Sequence, residues 1–205
     1  MELICGVDEA GRGPLAGPVT AAAVILPELF PLECLNDSKR LSEREREESA
    51  RIIRKQATAF SVGWAWPEEI DRYNIHFAVL LAMSRALLSL SVKPDLVLVD
   101  GKFTPASNLV CRAVVRGDTF VPAIQAASII AKTQRDLWMR RYARIEPAYL
   151  FEKHKGYPTK EHRQRLRCFG GCPIHRKSFK PVLFLQNQRP YENHPENSQD
   201  LHETQ

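Results

Sequence analysis

The sequence predicts an α/β layer fold built on a mixed β-sheet. Three observations carry that expectation. Apolar runs of strand length occur at 2–8, 19–26, 58–66, 95–100 and 110–115. Helical patterns fall at 43–56, at 75–91, from Pro122 onward and over 160–168. Their order reads as three strands, helices, two strands, then helices, which is not a regular βαβ repeat. With 205 residues, 44% of them hydrophobic, one domain with extensions can bury a sizeable core.

Each element has a local reason. The first run ends at a turn marked by Gly11, Gly13, Pro14, Gly17 and Pro18. Asp95–Asp100 is a short apolar run bracketed by Asp, the pattern of a central strand buried on both faces. Ser42-Glu43-Arg44-Glu45 has the form of a capping box and opens a charged helix to about Gln56. Ile75, Ala78, Val79, Ala82, Ala86, Leu87 and Leu90 follow helical spacing. Pro122 suits a first helical position, and Ala123, Ala126, Ala127 and Ala131 make a small-residue face that lets a helix approach a sheet closely. From about Gln186 the chain is polar with little to bury, and it reads as a disordered tail.

Charge is unevenly placed. The net charge is +5, yet residues 132–180 hold 14 Lys and Arg against 4 Asp and Glu. A basic block of this kind suits a polyanionic partner, although many such blocks are only solvated helix faces. The apolar stretch 19–32 is broken by Pro27, Glu28 and Pro31, so it does not span a membrane. No basic segment leads an apolar run at the N-terminus, and the five cysteines are odd in number. A reduced, cytoplasmic protein is the default expectation, with a monomer as the default state.

The chemistry concentrates at Asp8-Glu9-Ala10-Gly11-Arg12-Gly13-Pro14. Two carboxylates beside a core strand are costly to bury unless a cation compensates them. Hard divalent cations take oxygen ligands and are the obvious candidates. Neighbours on a strand face opposite ways, so both acids reach one site only if Glu9 lies past the strand's end. A dinucleotide fingerprint is rejected, because that motif needs a helix after the glycines and Val19–Leu26 reads as a strand. Asp100 ends an expected strand, and Asp118 sits in Arg116-Gly117-Asp118 just before the Pro122 helix. Strand C-terminal ends are where open α/β sheets place ligands. Four acids so placed suit a two-metal site for attack on a phosphodiester. Cys168, Cys172 and His175 could suggest zinc, but a closed site needs four ligands and only His162 is near enough in sequence.

The chain resembles the ribonuclease HII (type 2 ribonuclease H) family. The matching pieces are Val7–Val19, Asn36–Ser42, Val99-Asp100-Gly101, Gly117-Asp118, Ala126–Lys132, His154–Thr159 and Pro173–Phe179. They arrive in family order over about residues 4–180. The resemblance implies a ribonuclease H-like fold: a five-stranded mixed sheet flanked by helices, with a helical C-terminal extension. The implied division is a catalytic domain over 1–145, the extension over 146–185 and the tail over 186–205. It implies an endoribonuclease acting on RNA–DNA hybrids and cutting 5′ of ribonucleotides embedded in duplex DNA. The implied cofactors are two divalent ions, Mn²⁺ or Mg²⁺, held by Asp8, Glu9, Asp100 and Asp118. Gly11, Arg12 and Gly13 are implied to contact the sugar 2′-hydroxyl, which separates RNA from DNA. Tyr157 is implied to stack on the deoxyribose after the ribonucleotide. Lys39, Asn74, Ser128 and Lys132 are implied backbone-phosphate contacts. Lys102, Phe120 and Gly171 depart from the usual family pattern, and the first two bear on substrate preference rather than on the reaction. The competing readings are a non-catalytic hybrid-binding module and an integrase-like transferase on the same fold.

Overall fold

The computed structural model describes residues 2–35 and 41–188. Five strands, β1 (Ile4–Ala10), β2 (Val19–Ile25), β3 (Ala59–Ala65), β4 (Leu96–Asp100) and β5 (Cys111–Val114), form one sheet in the order β3-β2-β1-β4-β5. β1 runs antiparallel to β2 and parallel to β4, and β4 runs parallel to β5. The mixed sheet is the one expected. Two expectations need correction. Helix α1 (Glu43–Gln56) lies between β2 and β3, so the first three strands are not consecutive. β4 is also not buried on both faces, because Leu96, Leu98 and Asp100 are half-buried next to the edge strand β5. The fully buried strand is β2, with every residue inside.

Helices cover both faces. α2 (Pro67–Leu88) packs Ala78, Ala82, Met83 and Ala86 against the side of the sheet that carries Cys5, Val7, Ala21 and Ala23. α1 and α3 (Pro122–Tyr142) cover the other side with Ile53, Ala126, Ala127 and Ile130 against Ala22 and Val24. The small-residue face of α3 is matched by Gly6 on β1, where an added methyl would lie 2.0 Å from the Ala123 carbonyl carbon. Neither backbone can yield, so Gly6→Ala is expected to cost about 3 kcal/mol or more in a urea unfolding titration. A loss below ~1 kcal/mol would show that α3 can lift from the sheet.

The helix starts follow local chemistry. Ser42 accepts from the Glu45 N–H and Glu45 accepts from the Ser42 N–H, completing the capping box. α2 begins eight residues before the expected 75, at Pro67 with Glu68 and Glu69 in its first turn. It is interrupted at Asn74, whose φ is +64°. There the Asn74 Oδ1 accepts from the N–H groups of His76 and Phe77 and restarts the helix as a cap.

The C-terminal extension holds α4 (Phe151–His154), α5 (Lys160–Phe169) and α6 (Lys180–Gln188). α6 continues past the expected start of the polar tail at Gln186, and residues 189–205 lie outside the described residues. No helix among the described residues is long and apolar enough to cross a membrane.

Candidate active site

The parallel pairing of β1 with β4 stops at Val7–Val99. One residue further on, the neighbouring strand ends carry Asp8 and Asp100 side by side. β5 ends at Val114, and the following 3-10 turn (Gly117–Thr119) carries Asp118, whose N–H donates to Asp100 Oδ1 at 3.3 Å. Glu9 does not lie past the strand: it is still paired with Ala21 of β2. It nevertheless lines the same cavity as Asp8. The Glu9 N–H also donates to Asp8 Oδ1 at 2.7 Å.

Asp8, Glu9, Asp100 and Asp118 therefore line one cavity of about 490 Å³. Gly11, Arg12, Gly13, Ser128, Lys132 and Tyr157 line it as well, as does Arg46 of α1. A second hollow, of about 510 Å³, is lined by Arg44, Glu47, Glu48, Arg51 and Arg54 of α1, and the four acids do not line it. Lys39 lies outside the described residues. Asn74 does not line the acid cavity, and its side chain is engaged in capping the second half of α2.

Electrostatics make the cavity hungry for positive charge. Burial, then the charges of Glu9 and Asp100, hold the Asp8 carboxyl well above the usual carboxylate range, opposed by a hydrogen bond with Ser128. Burial also raises Glu9, opposed by Arg12, whose Nη1 lies 3.2 Å from Glu9 Oε1. Among the described residues, no three His, Cys, Asp or Glu side chains close into a ready-made cage. Crowded like charges resist closing without a cation between them. The donor set is all carboxylate oxygen, which fits a hard divalent ion.

The glycine loop is held from beneath by two arginines, one of which, Arg176, lies in the Pro173–Phe179 piece. Arg135 and Arg176 are both 0% exposed. Arg135 donates to the carbonyls of Pro18, Lys155 and Ala16 at 2.9, 3.0 and 3.1 Å. Arg176 donates to those of Gly17, Arg12 and Gly11 at 2.9, 3.0 and 2.6 Å. Gly11 has φ +100°, and an added methyl would strike Arg135 Nε at 2.3 Å. Glycine is needed there for the turn and for the close approach. So part of the basic block is structural: these two guanidiniums are buried, and Arg140 pairs with Glu43 and Glu47. Lys132 meets Asp136 at 2.8 Å while its Nζ stands 5.3 Å from the Tyr157 ring centroid. Cys172 Sγ lies 3.1 Å from His175 Nδ1, and Cys168 is exposed.

A five-stranded mixed sheet with acids at the ends of its parallel strands, covered by helices on both faces, is the ribonuclease H-like arrangement. The profile of the family "Ribonuclease HII" matches residues 5–182. A ribonuclease HII of Dechloromonas aromatica is 53% identical over 180 residues, covering 88% of this chain and 92% of that one. The chain belongs to the ribonuclease HII family. The crystal structure of the ribonuclease H2 from Pyrococcus horikoshii is similar in fold, with a TM-score of 0.75 at 22% identity, covering 90% of this chain and 97% of that one. The Bst ribonuclease HIII in complex with Mn²⁺ shares the fold at a TM-score of 0.69 and 16% identity, covering 91% and 70%. The protein is thus a hydrolase, an endoribonuclease of the ribonuclease H type, and not the non-catalytic binding module considered from sequence. Ribonuclease H enzymes act on RNA–DNA hybrids and depend on divalent metal ions.

Proposed function

We propose that the chain hydrolyses the phosphodiester on the 5′ side of a ribonucleotide, in RNA–DNA hybrids and within duplex DNA, leaving 5′-phosphate and 3′-hydroxyl ends. Such cuts begin the removal of ribonucleotides from DNA. The observation that carries the reading is the sharing of one cavity by Asp8, Glu9, Asp100 and Asp118, with the glycine loop and Tyr157 on the same wall.

Asp8, Glu9, Asp100 and Asp118 are the residues that would hold two Mn²⁺ or Mg²⁺ ions. Such a pair supplies an activated water for in-line attack and charge stabilisation at the leaving 3′ oxygen. The four carboxylates contribute the negative field, and Ser128 steadies Asp8 through its hydrogen bond. The main chain of Gly11–Gly13 meets the 2′-hydroxyl, with the carbonyls of Gly11 and Arg12 held from below by Arg176. Arg12 pairs with Glu9, and it would be available to the substrate were Glu9 to hold a cation instead. Tyr157 offers its ring to the following deoxyribose. Lys132 can exchange Asp136 for a backbone phosphate, a contact shared in this reading with Ser128, Lys39 and Asn74.

A duplex of DNA containing one ribonucleotide tests the reading directly, with Mn²⁺ or Mg²⁺ present and with EDTA as the control. The expected result is a single metal-dependent cut 5′ of the ribonucleotide and no cut in an all-DNA duplex. Equal cutting of the all-DNA duplex would favour a less discriminating phosphotransfer enzyme of the same fold.

A further inference from the structure

Three imidazoles, His154, His162 and His175, are buried together in the C-terminal extension against the rings of Tyr149 and Phe151. None of them lines the acid cavity. His154 and His162 stack with centroids 4.4 Å apart, and His162 Nε2 lies 3.0 Å from His175 Nε2.

Their surroundings fix every proton. The Cys172 N–H donates to His175 Nδ1 at 2.9 Å, so the hydrogen of His175 sits on Nε2. That hydrogen is donated to His162 Nε2, which accepts it. The hydrogen of His162 is then on Nδ1, where it is donated to the Tyr157 carbonyl at 2.9 Å. The Gly156 N–H donates to His154 Nδ1 at 3.2 Å, which leaves His154 Nε2–H to donate to the Tyr149 carbonyl at 2.9 Å. The His154 carbonyl in turn accepts from the Tyr157 N–H at 2.9 Å. Burial pushes His162 down to about 4 and His175 down to about 3, so both rings are neutral near pH 7, as this chain of bonds requires.

The other end of the chain of bonds leads to the glycine loop. His175 forms a β-bridge with Ala16. The Gly17 N–H donates to the Ile174 carbonyl and the Arg176 N–H to the Leu15 carbonyl, both at 2.8 Å. The Leu15 N–H donates to the Gly156 carbonyl at 2.8 Å. The Tyr157 ring stands close to the loop, since a methyl added at Gly13 would lie 3.9 Å from Tyr157 Cε1.

We propose that His162 and His175 are positioning residues that hold Tyr157 at a set distance from the Gly11–Gly13 loop, and through it set the preference for a ribonucleotide followed by a deoxyribonucleotide. This rests on the roles given to Tyr157 and the loop under the proposed function. His162 grips the Tyr157 backbone, and His175 anchors His162 to the strip on which the loop hangs. Their effect on the reaction is therefore indirect and specific to substrates that use both elements.

The test is the ratio of kcat/KM on a single-ribonucleotide duplex to that on a uniform RNA–DNA hybrid, where a ribose instead of a deoxyribose follows the ribonucleotide 3′ of the cut. His162→Gln keeps an acceptor for His175 but removes the donor to Tyr157. His162→Asn keeps an amide N–H near the Nδ1 position but loses the acceptor for His175. His175→Asn keeps the acceptor for Cys172 and loses the link to His162, and it serves if His162→Gln fails to fold by thermal melting. The ratio is expected to fall about tenfold in His162→Gln and His175→Asn, and about as far in His162→Asn, which breaks the same link to His175. Tyr157→Ala combined with His162→Gln is expected to fall no further than Tyr157→Ala alone. A parallel loss on both substrates, or an additive double variant, overturns the proposal. If Tyr157→Ala moves the ratio and both histidine variants leave it unchanged, the proposal alone fails. If Tyr157→Ala leaves the ratio unchanged, the role given to Tyr157 fails and this proposal falls with it.

Discussion

Asp8→Asn is expected to abolish cleavage, by at least about a thousandfold in kcat, while hybrid binding in a filter or anisotropy assay changes by only about threefold. The same replacement is expected to stabilise the metal-free fold. Asp8 is buried beside Glu9 and Asp100, and its carboxyl is held well above the usual range. The folded state therefore keeps a proton that the unfolded chain has already released. Stability of the metal-free protein falls as pH rises from about 4 through the raised value of Asp8, and the loss is complete above it. An amide at this position carries no charge, so the slope flattens and the melting temperature in EDTA at pH 7 rises. Mn²⁺ should raise the melting temperature of the parent and do so much less for Asp8→Asn. Retained cleavage in Asp8→Asn, or a lower melting temperature in EDTA, would remove Asp8 from the role given to it. Asp100→Asn is expected to behave in the same way for cleavage, since Asp100 stands at the end of the strand parallel to β1.

The second large effect is expected from Arg176→Lys. A guanidinium reaches three carbonyls, of Gly11, Arg12 and Gly17, in one plane. An ammonium on a lysine stem is a point donor and cannot span them. Two buried carbonyls are left without a partner, for a loss of ~2–4 kcal/mol in stability. The loop also loses the support that fixes its outer face, so kcat/KM on the ribonucleotide-containing duplex is expected to fall about a hundredfold. Denaturant titration and cleavage kinetics read the two effects separately. Stability within ~0.5 kcal/mol of the parent together with near-parent kinetics would show that the loop holds its shape unaided.

Much of this was legible from the chain because the signals are local. The five strands are short apolar runs, and the capping box of Ser42 and Glu45 and the proline at 122 mark helix starts by chemistry that acts within one turn. The carboxylates were legible because each stands at a strand end or in the turn before a helix. Glu9 is misplaced by the expectation that it must lie past the strand's end, since it is still paired with Ala21 of β2 and yet lines the same cavity as Asp8. The early start of α2 was missed because its break at Asn74 interrupts the apolar period, although Pro67, Glu68 and Glu69 carry the ordinary starting signals. The support given by Arg135 and Arg176 is not legible, although Arg176 lies in the Pro173–Phe179 piece. They sit in a basic segment that reads as solvated, and their partners are backbone carbonyls more than a hundred residues away in most cases, which no side-chain pattern announces.

The most direct measurement is the anomalous difference density of a crystal of the chain soaked in Mn²⁺. The account predicts two peaks inside the acid cavity, with oxygens of Asp8, Glu9, Asp100 and Asp118 drawn in to roughly 2.0–2.4 Å, the range for divalent ions on carboxylate oxygen. A cavity without manganese, or manganese bound without Asp8 and Asp100, would contradict it.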